Sequence, residues 1–259
     1  RSGAYNVTDT TLSAGTASAN RTTLSITGVK TITGDIAGNA HTSLNIDANT
    51  TIAGILGEST AITVGDVATA TTLTLSTTGA AAVTDLTLTG SATLAITGAK
   101  TFTGAIVGAA SNTATLDIDA NTTIAGEVGK TVALATANVA TTKTLTLSGT
   151  SGYNVTTTTL TADSNFKVTG AQTITGDIIG HATTTELDID ANTTIAGEVG
   201  KTVAIVSANV ADGITLTSTG DYSVTATVLA EDDSVLIFNA AGAQTVTGTI
   251  NGADAAGEG

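Results

Sequence analysis

The segment LDIDANTTIAGEVGKTVA stands at 116–133 and again, letter for letter, at 187–204, with a looser copy, LNIDANTTIAGILGESTA, at 44–61. An identity of this length inside one chain leaves few folds open, because each copy must find the same surroundings. Other markers keep the same spacing. KTITGDI at 30–36 returns as KTFTGAI at 100–106, QTITGDI at 172–178 and QTVTGTI at 244–250, at intervals of 70, 72 and 72 residues. AYNVTDTTL at 4–12 returns as GYNVTTTTL at 152–160 and DYSVTATVL at 221–229, and weakens to AAVTDLTL at 81–88, where Ala81 stands in place of Tyr. TLTLS at 72–76 and 144–148 weakens to ITLTS at 214–218. The 259 residues therefore read as one continuous repeat array with units near 1–77, 78–149, 150–218 and a partial 219–259. No Pro-rich, Ser-rich or charged spacer separates the units.

Inside a unit, apolar and polar residues alternate with period two, the mark of strands with one buried face. In the third unit the strands are read as TITGDI, TELDID, TTIAGEV, TVAIVSA, GITLTST, YSVTATVL and SVLIFNA, with turns rich in Gly, Asn and Asp between most of them. Helical stripes are absent. Aromatics are 2% of the chain, and Cys, Met, Trp and Pro are missing. A conventional sandwich core leans on large rings, each burying about 150–250 Å², so this composition suits a narrow core of Val, Ile, Leu and Ala. The expected fold is all-β, a right-handed parallel β-solenoid in which each 72-residue unit makes three coils of about 24 residues or four of about 18. Tandem Ig-like β-sandwich modules are the alternative.

The pattern Ile174-Thr175-Gly176-Asp177-Ile178, then a strand, then Thr194-Ile195-Ala196-Gly197-Glu198-Val199-Gly200, resembles the passenger repeats of bacterial autotransporter adhesins. It is similar to runs in rickettsial outer-membrane surface antigens, and comparable Thr/Gly/Ala strands occur in S-layer proteins and giant repeat adhesins. The resemblance covers most of the chain but rests on short motifs, and no C-terminal membrane-barrel segment accompanies it here. It implies an extracellular, bacterial cell-surface β-solenoid with a structural or adhesive role, joined to flanking repeats, to other copies or to a surface ligand of a host or neighbouring cell.

Charge narrows the partners. Net charge is −14 with eight Lys and Arg scattered singly, and nucleic-acid binding needs clustered cations. An anionic membrane surface would repel the chain, and no apolar run reaches the about 18 residues of a membrane span. The start at Arg1 suggests a processed product or a piece of something longer. No nucleophile–base constellation, GxSxG or P-loop is present, so no catalysis is expected.

The metal candidates lie in DIDAN. On a strand, Asp117, Asp119 and Asn121 share one face, and Asp188, Asp190 and Asn192 repeat the set. Carboxylates about 7 Å apart beside an amide oxygen suit Ca²⁺, yet Ca²⁺ takes six to eight oxygens and one strand cannot surround it. A solvated polar face is the competing reading. His41 and His181 occupy similar loops and read as surface residues. Tyr5, Tyr153 and Tyr222 mark one repeat position, where a ring in the core with its hydroxyl at the surface is expected. The pairs Thr31/Thr33, Thr173/Thr175 and Thr245/Thr247 raise an ice-binding face, but that series recurs only every 72 residues or so.

Overall fold

Period-two alternation does produce strands here. The computed structural model describes residues 3–5, 9–110, 113–231 and 233–252, and these form 26 strands with parallel pairing between all of them. The chain winds into a parallel β-solenoid of about 11 turns with ~21 residues per turn. Each turn visits three faces, here A, B and C, and each face is a ladder of register partners along the molecule. Face A steps from Gly3 through Lys30, Thr50, Leu73, Leu94, Leu116, Ala137, Thr158, Ile178, Val199 and Tyr222 to Val246. Face B carries Ile36, Leu56, Ala81, Phe102, Ile124, Leu147, Val168, Ile189 and Val210. Face C carries Leu24, Leu44, Gly65, Leu86, Ile106, Val128, Tyr153, Ile174 and Ile195. The buried apolar members of these columns meet in one continuous core. Neither expected coil length is right.

The ~21-residue coil does not divide the repeat. Leu44 lies on face C, between Leu24 and Gly65. Its equivalent Leu116 lies on face A, between Leu94 and Ala137. The next equivalent, Leu187, lies on face B, between Phe166 and Ala208. Each unit therefore advances ten face-steps, about 3⅓ turns, and hands every feature to a different face. The strands that turn a corner without breaking show the same rotation. Gly79–Leu88 and Lys100–Gly108 bend between faces B and C, Tyr153–Leu160 and Gln172–Ile179 between C and A, and Tyr222–Leu229 and Val246–Gly252 between A and B. Register shifts mark the bends. Gly104, Gly176 and Gly248 sit there at φ of 103°, 97° and 108°, and a Cβ at each would collide with the carbonyl of Val83, Val155 or Val224 below.

The core compensates volume from coil to coil. Tyr153 and Tyr222 are 1% exposed and pair in register with the smaller Ile174 and Val246. Ala81 pairs instead with Phe102, so the missing ring volume reappears one coil on. Phe166 and Phe238 meet the two Tyr rings edge-on at 5.4 Å. The Tyr hydroxyls do not reach the surface as expected. Tyr153 Oη bonds Thr158 Oγ1 at 2.8 Å and Tyr222 Oη bonds Thr227 Oγ1 at 2.9 Å, inside the core and across the bend. Burial raises both phenol pKa values against the opposing Thr hydrogen bond, that of Tyr222 to about 12. A buried hydroxyl needs a partner, and Thr five residues on supplies it. Where Tyr becomes Ala81, the residue five on is Leu86.

Candidate functional site

The DIDAN segments alternate as the pattern implies, with Leu116, Ile118 and Ala120 buried, Asp117 half-buried, and Asp119 and Asn121 exposed. Asp117 Oδ1 accepts from Asn138 Nδ2 at 2.7 Å, one coil on. In the third unit, Asn165 and Asn209 donate to Asp188 from below and above at 2.8 and 3.0 Å, and Lys167 Nζ sits 2.5 Å from Asp190. That hydrogen bond to Asp190 raises the Lys167 pKa against its partial burial. The first unit inverts the pair, with Asn45 in register with Asp66. Burial raises the Asp66 carboxyl, opposed by Arg21 and by the Thr87 hydroxyl.

The Asn that closes each segment is a corner staple. Asn49, Asn121 and Asn192 accept through Oδ1 from the backbone N–H of Thr72, Thr144 and Thr215 at 2.9, 3.0 and 2.8 Å. Their own carbonyls accept from Lys30, Lys100 and Gln172 of the preceding coil. Each Asn thus ties three coils together and commits its amide oxygen. Asp117, Asp119 and Asn121 lie at the face A corner, whereas Asp188, Asp190 and Asn192 lie at the face B corner. The fold does not bring the two sets together.

A second recurring corner escaped the sequence reading. Asp177 Oδ1 accepts from Glu198 N at 2.9 Å, and Lys201 Nζ sits 2.5 Å from its Oδ2. Burial works to raise the Asp177 pKa, but the Lys201 hydrogen bond, the Glu198 N–H and the Lys201 charge together hold it below the ordinary value. In the second unit the carboxylate moves one coil down to Asp85, the register partner of Ala105, and Lys130 reaches it at 2.8 Å. In the first unit, Asp9 and Asp35 are register partners and Glu58 takes the Lys position. These three carboxylates lie within 4.8 Å of one another, where the other two units place one carboxylate and one ammonium. Aligning Glu58 with Lys130 and Lys201 was the signal available beforehand.

The remaining candidates fall on the outer surface. His181 is exposed, its Nδ1 facing Thr183 Oγ1 at 3.1 Å, and His41 is half-buried at a φ of 55°. Thr columns do form on consecutive coils, contrary to the expected spacing, because unlike parts of the unit stack on one another. Thr31, Thr51 and Thr74 line face A, Thr101, Thr123 and Thr146 face B, and Thr173, Thr194 and Thr217 face C. Ala95, Lys167 and Ile237 end these columns. Thr72, Thr93, Thr115, Thr136 and Thr157, all half-buried, also run along face A, beside a column broken by Ala95, Asp117 and Asn138. Among the described residues, no helix is long and apolar enough to cross a membrane. Set against family models, curated proteins and solved structures, the chain matches none, and what it shares with any class is the β-solenoid fold.

Proposed function

We propose that this chain is a non-catalytic, extracellular spacer, a rigid rod of the bacterial surface-repeat kind that its strand motifs resemble. One observation carries the reading. All three ladders continue from coil to coil across every unit boundary, so the 72-residue repeats behave as one stiff body rather than as jointed beads. The outward polar groups support it, because they spend their hydrogen bonds on the coils above and below. About 11 turns at about 4.8 Å each give a rod about 53 Å long. The test fuses the chain between a surface anchor and a fluorescent reporter and measures reporter height. Deleting one unit should lower the reporter by about 16 Å. A height that does not respond to the number of turns rejects the spacer reading.

A second reading, end-to-end assembly into a filament or S-layer-like lattice with or without calcium, is favoured by where apolar residues are exposed. Tyr5 and Val29 are exposed on the first coils, and Val235, Ile237, Val246 and Ile250 on the last. Such edges suit pairing with further strands, whether of another copy or of a longer chain. Sedimentation that stays monomeric up to high concentration, with and without Ca²⁺, would exclude it.

A further inference from the structure

Three Asn–x–Thr triplets of the chain carry one further element. Asp47-Ala48-Asn49-Thr50-Thr51, Asp119-Ala120-Asn121-Thr122-Thr123 and Asp190-Ala191-Asn192-Thr193-Thr194 each place an acid two residues before the Asn and a Thr two residues after it. Asn–x–Thr is the acceptor pattern for N-linked glycosylation. An acid two residues before the Asn is the extension that bacterial-type oligosaccharyltransferases read. The other triplets, at Asn6, Asn20 and Asn154, have Ala4, Ser18 and Gly152 at that position.

The fold presents the three extended triplets alike. Asp47, Asp119 and Asp190 are exposed, as are Asn49, Asn121 and Asn192. The Thr after each Asn turns inward, and Thr50, Thr122 and Thr193 donate through Oγ1 to the carbonyls of Ala48, Ala120 and Ala191 at 2.8, 2.8 and 2.7 Å. Alternation then turns Thr51, Thr123 and Thr194 outward. Because each Asn staples another coil through Oδ1, its Nδ2 is the uncommitted atom, without a partner among the described residues. Glycosylation replaces one Nδ2 hydrogen and keeps the amide oxygen, so the staple survives it. Asn154 is the contrast, since it lies within Tyr153–Leu160, donates through Nδ2 to the Gly129 carbonyl and accepts at Oδ1 from Thr175. In the third unit Lys167 pairs with Asp190, a part-exposed ion pair that contributes little and opens readily. Asn49 stands where face C gives way to face A, Asn121 between A and B, and Asn192 between B and C. Successive acceptors lie 3⅓ turns apart, about 16 Å along the axis, on different edges of the rod.

We propose that Asn49, Asn121 and Asn192 are acceptors for an N-linked oligosaccharide, which the rotating module distributes over all three edges of the rod. In the transfer, Nδ2 bonds to the anomeric carbon of the sugar. The bond from that carbon to its polyprenyl-diphosphate carrier breaks, and the diphosphate leaves as Nδ2 loses a proton. The proposal rests on the extracellular reading, because exported chains are the ones that meet the transferase. The test supplies export by an added signal and does not depend on rod height, so the two can fail separately. The chain is sent to the periplasm of a bacterium that makes a single-subunit oligosaccharyltransferase and its polyprenyl-diphosphate-linked oligosaccharide, then purified and mapped by peptide mass spectrometry. Oligosaccharide is expected on Asn49, Asn121 and Asn192 and not on Asn6, Asn20 or Asn154, with thermal unfolding within a few degrees of the unmodified chain. Thr51→Val/Thr123→Val/Thr194→Val removes the acceptor pattern and leaves every staple in place, so it should fold and lose the modification. Asp47→Asn/Asp119→Asn/Asp190→Asn should lose it as well. Bare acceptors, equal occupancy of Asn20 or Asn154, occupancy unchanged in either variant, or a glycosylated chain that no longer folds would overturn the proposal.

Discussion

KTITGDI at 30–36 and QTITGDI at 172–178 differ in one residue, yet the chain builds them differently. The later copy runs as one bent strand, Gln172–Ile179, whereas the earlier forms two short ones, Lys30–Ile32 and Asp35–Ala37. Their neighbours differ more than they do. Asp177 has Thr157 below and Lys201 above, and Asp35 has Asp9 below and Glu58 above. Tyr153, under Ile174, is 1% exposed, but Tyr5, under Ile32, is 47% exposed. In a solenoid the coils above and below decide what a motif becomes, because they supply most of its contacts.

The Tyr position offers the largest expected contrast. Tyr153→Ala removes a buried ring and orphans the Thr158 hydroxyl, at a cost of about 3–5 kcal/mol. Tyr5→Ala should cost less than about 1 kcal/mol. The triple change Tyr153→Ala/Thr158→Leu/Ile174→Phe rebuilds the second unit's core and should recover most of the loss, readable by urea unfolding. Recovery no better than the single variant would break the volume-compensation account.

Next in size is the bend. Gly176→Ala places a Cβ against the Val155 carbonyl at a φ of 97°, which should cost about 2–3 kcal/mol. Wild-type stability in this variant would show that the strand does not bend as described. Smaller still is the corner charge. Glu58→Lys gives the first unit the ammonium of the other two and should raise Tm by about 1–3 °C at low salt, fading as salt screens it. Lys201→Glu should lower Tm similarly. Equal responses at the two sites to either charge would erase the contrast.

The smallest expected effect is with pH. The Asp177 pKa is held below its ordinary 3.8, so the stability it contributes is present above that value and is lost as pH falls through the lowered one. The Lys167 pKa is raised above 10.5, so its contribution is present below that value and is lost as pH rises through the raised one. Lys100 runs the other way, since its lowered pKa makes the buried charge a cost that is relieved as pH climbs toward 10.5. Removing each in turn should flatten the matching limb of the Tm–pH curve.

Much of the strand pattern was legible. The alternation in TELDID and YSVTATVL placed strands, and Leu116, Ile118 and Ala120 point inward as their spacing implies. Coil length was not legible from the strongest repeats, because identical motifs fall 3⅓ turns apart and never stack. The weaker series TLTL, TLAI and TLDI at 72, 93 and 115 does stack, and it carried the ~21-residue period in plain view. The committed oxygens of Asn121 and Asn192 were hidden, because their partners Thr144 and Thr215 lie 23 residues on in the TLTLS and ITLTS markers, and only the coil length places those one turn above the Asn. Tyr with Thr at the fifth position, against Ala with Leu, was a readable hint of the buried hydroxyl pair.

The central claim is that the module is 3⅓ turns and not a whole number of them. Two deletions separate these directly when compared by thermal unfolding. Removing 116–186 joins Thr115 to Leu187, so the identical 187–204 segment stacks where 116–133 did and all later turns rotate by one face. Removing 116–177 takes out three whole turns along face A and joins Thr115 to Ile178, keeping every face but breaking the motif order. The 116–186 deletion should unfold cooperatively within a few degrees of the parent, and the 116–177 deletion should lose many degrees or fail to fold. The reverse ranking would contradict the three-faced, rotating solenoid.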